Sequence, residues 1–340
     1  MPRLRRADCS EPGIRRVRRG RGFTYKEDDG TTIEDAETLE RIRELAIPPA
    51  WKEVWICPYP NGHIQATGFD DAGRKQYRYH DFWRSKKDRE KHEEMLDFAR
   101  KLPDMREKVN ADLKLRGLVR DRVLACSVRL LDRGFFRVGT EQYSNSDNES
   151  YGLATLRKKH VSFARGHVIF DYKAKGSKPH RQELADPEVI KVLKPLAQRK
   201  GGGLELLAYR DGRTGWRDVR SSDINAYLKA VMDGDFSAKD FRTWNATVIA
   251  AVGLAQRDAE AAKSKTARKR VANQVVRTVA GYLNNTPAVC KASYIDPRVF
   301  DRFDSGTTIR PALMREIKET EPGDFPDREA IEAAVLDLLS

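Results

Sequence analysis

With 340 residues, the chain is long enough to form two domains that each bury a core. Its 39% hydrophobic content excludes a disordered chain, although 34% of the residues are charged. Lys and Arg number 64 against 51 Asp and Glu, and the formal net charge of +13 favours a polyanionic partner. Solvated basic faces would produce the same excess, so charge alone does not identify that partner.

Cysteine spacing and hydropathy indicate an intracellular protein. The four cysteines, Cys9, Cys57, Cys126 and Cys290, match no zinc or redox motif, so we expect reduced thiols. No apolar run is long enough to span a membrane, and the Arg-rich N-terminus lacks the apolar core of a secretory signal. We therefore expect a cytoplasmic protein with no membrane segment.

The N-terminal region is predicted to contain a basic arm, one helix and short strands. Residues 1–22 are rich in arginine and poor in apolar side chains, which predicts a flexible basic arm. Apolar spacing predicts a helix from Ile33 to Leu45, which Pro48 and Pro49 stop. The predicted strands, separated by turn residues, are Val54–Ile56, His63–Thr67 and Gln76–Tyr79. Residues 23–88 are therefore expected to form a small β-rich domain.

Residues 89–340 are expected to form a larger, mostly helical domain. Helical periodicity extends over the segments Lys86–Lys101, Met105–Leu115, Leu118–Leu131, Asp223–Met232, Phe241–Leu254 and Arg328–Leu339. A small three-stranded sheet is predicted from His160–Phe163, Val168–Tyr172 and Arg181–Leu184. The charged, Ala-rich stretch Asp258–Arg277 predicts an exposed helical hairpin or linker. The predicted fold class is α+β.

Four segments carry the residue types that metal-free cleavage of a phosphodiester requires. Such cleavage needs a nucleophile, donors for the two non-bridging oxygens, and an acid for the leaving alkoxide. Arginine suits the oxygens because its rigid fork binds phosphate in a bidentate way. Lysine can supply the proton, and a tyrosine phenol can form a phosphodiester and then leave again. These segments are Gly134–Gly139, Phe170–Gly176, Lys239–Thr247 and Asn285–Tyr294.

In these segments the chain resembles the type IB DNA topoisomerases, in particular the compact poxvirus-like and bacterial branch. The resemblance covers roughly Ile47 to Arg298, and the motifs occur in the family order. It implies a catalytic domain of the type shared by tyrosine recombinases and type IB topoisomerases. One such motif would be weak evidence, whereas four in order identify a family.

The resemblance implies a role for each of five residues. Arg137 matches the first phosphate-binding arginine and Arg242 the second, while Lys175 matches the general-acid lysine. Tyr294 matches the nucleophile, and Asn285 stands nine positions before it, where many members have histidine. An Asn amide offers only a neutral hydrogen bond where a protonated histidine would offer a charged one. Two further lysines, Lys173 and Lys178, flank the expected acid and leave its identity open.

Further residues are expected to contact DNA outside the cleavage site. Gln76, Tyr77 and Tyr79 match positions that meet the major groove in the resembling viral enzymes, although the tyrosines could instead close a small core. Candidates for contacts to the DNA backbone are Tyr143, Lys159 and His160, and Lys239 is a further candidate DNA contact.

The expected function is therefore that of a type IB topoisomerase. It would cut one strand of duplex DNA through a 3′-phosphotyrosyl intermediate, let the free end swivel and reseal it, relaxing positive and negative supercoils. The resemblance implies no ATP, metal or other cofactor, no obligatory protein partner, and a monomer associated with the nucleoid. Alternatives are a tyrosine recombinase and a non-catalytic basic DNA-binding protein. Recombinases usually carry His three residues before the second arginine, where this chain has Lys239.

Overall fold

The computed structural model describes residues 3–139, 149–212, 215–257, 264–321 and 326–340. The chain divides into two compact units, Met1–His92 and Glu93–Ser340, here called the N-terminal and C-terminal units. The division falls inside helix α2 (Asp81–Arg100), a few residues after the boundary expected at residue 88. In the described ranges, no helix combines the length and the apolar composition that a membrane span needs.

The N-terminal unit is built on a five-stranded antiparallel sheet. Its strands are β1 (Ile14–Arg19), β2 (Gly22–Lys26), β3 (Lys52–Ile56), β4 (Ile64–Phe69) and β5 (Lys75–Tyr79), in the order β2-β1-β3-β4-β5. Helix α1 (Ala36–Glu44) starts at Asp35, whose carboxylate accepts a hydrogen bond from the Thr38 backbone N–H. Ile42 of α1 packs with Ile14 and Ile56 of the sheet in a small core.

The prediction of a flexible arm over residues 1–22 is contradicted by a strand in its second half and by backbone hydrogen bonds of Arg5 in its first half. Ile14 to Arg19 form strand β1, which pairs with β2 on one side and with β3 on the other. Ile14 is buried, whereas Arg15, Arg18 and Arg19 are exposed. A single buried isoleucine anchors this strand, and the density of arginines concealed it in the sequence.

The C-terminal unit is mostly helical. Its helices are α3 (Leu102–Leu113), α4 (Arg120–Gly134), α5 (Pro187–Gln198), α6 (Ser221–Met232), α7 (Ala238–Ala255), α8 (Lys265–Leu283), α9 (Pro287–Ser293), α10 (Arg298–Asp304), α11 (Arg310–Glu319) and α12 (Arg328–Leu339). A three-stranded antiparallel sheet has the order β6 (Val161–Ala164), β7 (His167–Ala174) and β8 (Lys178–Leu184). The two-stranded sheet of β9 (Ala208–Asp211) and β10 (Gly215–Asp218) was not predicted. The α+β fold class is confirmed.

The stretch predicted as an exposed hairpin or linker is mainly one packed helix. Helix α8 carries Val275, Val276 and Val279 into the main core, where the helix lies against α7. Residues 258–263 lie outside the described part of the chain. The alanines and charges of this stretch concealed a narrow apolar stripe.

Candidate active site

Arg242, in helix α7, links two chain segments of the C-terminal unit. Ser237 caps this helix by accepting a hydrogen bond from Lys239, and Asp240 accepts one from the Ser237 backbone N–H. Arg242, 4% exposed, donates from Nη1 to the Phe135 carbonyl and from Nη2 to the Leu283 carbonyl at 2.8 Å. The guanidinium therefore holds the segment after α4 against the end of α8.

Arg137 lies on the segment that follows α4. Phe135, in the left-handed region with φ 53°, turns the chain at the helix end. Phe136 is buried with its ring edge against Phe170 of β7, at a centroid distance of 4.8 Å. This anchor directs the next side chain, half-buried Arg137, to donate from Nη2 to Asn285 Oδ1 at 2.7 Å.

Asn285 presents an unused donor beside that hydrogen bond. Asn284, with φ 49°, ends α8, and the Asn285 backbone N–H donates to the Ala280 carbonyl at 3.0 Å. The Asn285 Nδ2 atom is buried and has no hydrogen-bond partner among the described residues. A buried donor without a partner costs about 1–3 kcal/mol, so this position favours an incoming acceptor.

Tyr294 lies at the end of α9, within reach of both arginines. Its backbone N–H donates to the Cys290 carbonyl at 3.0 Å, which fixes the side chain at the helix end. The Arg242 guanidinium lies 5.3 Å from the centre of the Tyr294 ring, and both Arg137 and Arg242 lie close enough to the phenol to lower its pKa. The phenol is therefore paired with two cations.

The two arginines change the acid–base properties of the phenol. Burial favours the neutral form of Tyr294, but the charge of Arg242, followed by the hydrogen bond and charge of Arg137, outweighs it and lowers the pKa of the phenol. Burial, and next the charge of Arg137, lower the pKa of Arg242 to about 10. Two cations held close together in a protein interior form a site that favours an anion.

Lys175 occupies the turn between β7 and β8. Gly176 and Ser177 follow it with φ of 75° and 55°, a conformation that lets the hairpin reverse. The lysine is exposed at this turn. Lys173 and Lys178 are also exposed, one on each strand of this hairpin.

The three candidate DNA contacts on strand β5 lie on two different faces of the strand. Tyr77 and Tyr79 are 44% and 40% exposed, and their rings are stacked with centroids 5.9 Å apart. They therefore do not close a core. Gln76 points to the opposite face because side chains alternate along a strand, and its amide nitrogen Nε2 donates to Asp70 Oδ2 at 3.0 Å.

The remaining candidate DNA contacts have different environments. Lys159 and Lys239 are exposed, whereas His160 is only 8% exposed and its ring packs edge-on against Tyr151. Burial, followed by the charges of Lys159 and a nearby arginine, lowers the pKa of His160 to about 4. His160 Nδ1 also accepts a hydrogen bond from the Arg157 backbone N–H, so the position favours a structural role over a phosphate contact. Tyr143 lies outside the described residues.

Thr247 is a supporting residue that the sequence did not reveal. Its hydroxyl donates to the Thr243 carbonyl at 2.9 Å and accepts a hydrogen bond from the Asp296 backbone N–H at 3.1 Å. Helix α7 thereby holds the chain immediately after Tyr294. Thr247 ends the Lys239–Thr247 segment that the sequence singled out, but no local pattern indicated this role.

Known proteins match almost the whole chain. Residues 80–319 match the catalytic core of eukaryotic DNA topoisomerase I, and residues 22–70 match the N-terminal domain of bacterial DNA topoisomerase IB. DNA topoisomerase 1B of Acanthamoeba polyphaga mimivirus is 31% identical over 317 residues, which are 92% of this chain and 93% of the relative. DNA topoisomerase 1 of Mycosarcoma maydis is 27% identical over 209 residues, 56% of this chain and 20% of that protein. The expected family is confirmed: the chain belongs to the type IB DNA topoisomerases.

Proposed function

We propose that this type IB topoisomerase cuts DNA with Tyr294 as its nucleophile. The phenol oxygen attacks phosphorus and forms a phosphotyrosyl bond to the 3′ end, while the bond from phosphorus to the 5′ oxygen breaks. The leaving 5′ oxygen takes up a proton, and the 5′ end swivels before it attacks the phosphotyrosine in the reverse reaction. Because the phosphotyrosyl bond conserves the energy of the broken bond, resealing needs no ATP.

The observation that carries this proposal is the convergence of Arg137 and Arg242 on the Tyr294 phenol. Both cations stabilise the phenolate, which is the attacking species, and both carry donors suited to phosphate oxygens. An ordinary half-buried tyrosine would need no such pair of arginines. The arrangement also places Asn285 Nδ2, a buried donor, beside Arg137.

We assign the stabilisation of the two non-bridging oxygens to Arg137, Arg242 and Asn285. Negative charge develops on these oxygens as the phenol attacks, and donors already held in place stabilise it without reorganisation. Arg242 is held by two carbonyls and Arg137 by the Asn285 amide oxygen, so both guanidinium groups are preorganised.

The acid that protonates the leaving 5′ oxygen is proposed to be Lys175. Its place at the tip of the β7–β8 hairpin would let the side chain approach DNA bound at the site. Lys173 and Lys178 remain alternatives on the same hairpin. A substrate with a sulfur leaving atom at the 5′ position needs no acid, so it should restore cleavage only to the variant that lacks the acid.

The proposal also covers the oligomeric state, DNA binding by the N-terminal unit and the cellular location. All five proposed catalytic residues lie in the C-terminal unit of one chain, which supports a monomer that needs no protein partner. The exposed and stacked rings of Tyr77 and Tyr79 support DNA binding by the N-terminal unit. We infer that the enzyme acts in the cytoplasm, on nucleoid DNA.

Relaxation of a supercoiled plasmid with EDTA and without ATP tests the whole proposal. We expect the parent protein to relax the plasmid and to form a covalent adduct with a DNA 3′ end on denaturing gels. Tyr294→Phe should do neither, because it lacks the attacking oxygen. An adduct that persists in Tyr294→Phe would exclude Tyr294 as the nucleophile.

The recombinase alternative is not favoured. Lys239 stands where recombinases usually carry His, and the N-terminal unit is a β-sheet, whereas recombinases clasp DNA with a helical domain. The same purified protein should relax a plasmid that carries no paired recombination sites, and it should exchange no strands between two such sites.

A further inference from the structure

The segment that precedes strand β1 is docked on the N-terminal sheet. Arg5 forms a parallel β-bridge with Gly62, its backbone N–H donates to the Asn61 carbonyl, and its carbonyl accepts from His63, both at 2.9 Å. The Ala7 backbone N–H donates to His63 Nδ1 at 3.0 Å. Residues 3–7 therefore add a short strand-like edge beside the connection between β3 and β4.

The same segment then crosses the sheet face that carries Tyr77. Trp55 Nε1 donates to the Glu11 carbonyl at 3.0 Å, and the Thr67 side chain lies close enough to the Cys9 thiol to influence its pKa. Trp55 and Thr67 are both buried, and Thr67 pairs directly with Tyr77. Directly paired residues project from the same face of a sheet, so the segment covers the centre of the face on which Tyr77 stands.

The docked segment also lies close to Tyr79. Ile64, next to His63, pairs with Tyr79, and the His63 carbonyl accepts a hydrogen bond from His80 at 3.0 Å. Arg5, His63 and His80 thus lie on three neighbouring stretches of chain. At about 4.8 Å between neighbouring strands, the Arg5 backbone is about 10 Å from that of His80. An arginine side chain spans most of this distance.

The part of the sheet where residues 3–7 lie beside His63 and His80 is here called the corner. Three exposed arginines lie in it. Arg3, Arg5 and Arg6 are all exposed, and the Arg5 guanidinium stacks 3.6 Å above the exposed Tyr59 ring. Stacking uses the face of a guanidinium and leaves its edge donors available for phosphate. The neighbouring carboxylate, Asp8, has its pKa lowered first by hydrogen bonds from Ser10, and then slightly by the charge of Arg6.

Positive charge is also present on the neighbouring strand β5. The Lys75 ammonium lies 5.7 Å from the centre of the Tyr77 ring and close enough to Asp8 to lower its pKa. Of the charged side chains named in this corner, Arg3, Arg5, Arg6 and Lys75 are cationic, and Asp8 and Glu11 are anionic. Glu11 lies at the Trp55 end of the segment, so the three arginines retain a positive surface at the Tyr79 end.

We propose that Arg3, Arg5 and Arg6 form a DNA phosphate-binding site that adjoins Tyr77 and Tyr79 on the N-terminal unit. The proposal rests on the proposed function, in which the N-terminal unit binds duplex DNA. It adds residues that precede the segment matched to the bacterial N-terminal domain, which begins at residue 22. Arginine contacts to phosphates carry no base information, so this site contributes affinity for any sequence.

The salt dependence of DNA binding tests this site. Binding of full-length protein in a Tyr294→Phe background is measured on one labelled duplex at several salt concentrations. The logarithm of the affinity should fall with the logarithm of salt by about 0.9 less for each phosphate contact removed. Replacing Arg3, Arg5 and Arg6 with Gln should therefore reduce the slope by about two to three and weaken binding by at least about 10-fold. The substitutions leave the backbone bonds of the segment intact.

A matched control removes the same charge from another corner of the sheet. Arg18, Arg19 and Arg21 are exposed at the turn between β1 and β2, three strands away from β5. Replacing them with Gln should leave the slope at the parental value. A parental slope in the Arg3, Arg5 and Arg6 variant, or an equal loss in the control, would overturn the proposed site. Adduct formation by protein that retains Tyr294 tests the proposed function separately, because it does not depend on the slope.

Discussion

Arg137 and Asn285 are joined by a 2.7 Å hydrogen bond from the guanidinium Nη2 to the amide Oδ1. This bond uses the acceptor of Asn285 and leaves its Nδ2 donor buried and without a hydrogen-bond partner among the described residues. One amide thus orients the arginine that we propose to bind phosphate, and it retains a second donor for the proposed substrate contact. A histidine at this position would offer a stronger donor when protonated, since charged hydrogen bonds are about twice as strong as neutral ones.

Substitutions of Asn285 should separate these two contributions. Asn285→Ala removes both and should slow single-turnover cleavage by about 100-fold, the usual effect of losing one transition-state donor. Asn285→Asp keeps an acceptor for Arg137 but replaces the donor with a negative charge, so it should be slower still. Asn285→His should remain active. Cleavage by Asn285→Ala at the parental rate would remove this residue from the site.

The pH dependence of cleavage should follow the phenol of Tyr294. Its folded-state pKa is lowered because the charges of Arg242 and Arg137 outweigh burial, so the phenolate forms at lower pH than for a free tyrosine. Cleavage should rise with pH up to that lowered pKa. Arg137→Gln removes one of the stabilising cations and should shift the rising limb to higher pH, besides lowering the rate.

The control for that shift is Arg116→Gln, which removes an exposed arginine from the loop between α3 and α4. Its cleavage profile should match that of the parent. If Arg137→Gln slows cleavage without moving the rising limb, then Arg137 acts on the phosphate and not on the phenol.

Gly139 should prove necessary for the position of Arg137. Gly139 has φ 77°, and a Cβ atom there would lie 2.7 Å from the Gly152 Cα atom. Gly139→Ala should therefore displace the Arg137 segment and greatly reduce cleavage. Gly166→Ala is a matched control, because Gly166 has the same φ of 77° but nothing within 4 Å of the added carbon. It should lose about 1–2 kcal/mol of stability through backbone strain and still cleave DNA.

A buried ionic network should make α12 important for stability. Arg106 of α3 binds Asp132 of α4 through two 3.0 Å hydrogen bonds, and it binds Glu332 of α12 at 2.7 and 3.0 Å. All three side chains are buried. Arg106→Ala would leave two buried carboxylates without this partner and should destabilise the protein by about 3–5 kcal/mol in urea denaturation. Arg100→Ala, which breaks an exposed pair with Asp97, should change stability little.

The same network predicts sensitivity to acid. Burial raises the pKa of Asp132, but Arg328, followed by Arg106, outweighs burial and holds it below the ordinary value. A carboxyl group with a lowered folded-state pKa stabilises the protein above its unfolded pKa of about 3.9. That contribution is lost as the pH falls through the lower folded value. The cost of Arg106→Ala should thus be largest near neutral pH and should shrink in acid; a constant cost would contradict the role of ionised Asp132.

Local sequence patterns determined several elements of the fold and the order of the motif segments. Helix α12 was predicted from Arg328 to Leu339 and has those bounds, because its apolar residues keep a helical period after the capping Asp327. The turn before β8 was predicted around Gly176, which does adopt a positive φ. The order of the Arg, Lys, Arg and Tyr segments likewise identified the family.

Only the tertiary structure decided which groups meet. The bond from Arg137 to Asn285 joins residues 148 apart, and Arg242 links the carbonyls of Phe135 and Leu283. Neither pairing leaves a local pattern, because it depends on how helices pack after they have formed. The burial of His160 and the docking of Arg5 on the sheet were hidden for the same reason. Sequence periodicity determines the conformation of each segment, whereas packing between segments decides the partners, and these set the pKa and the accessibility of each side chain.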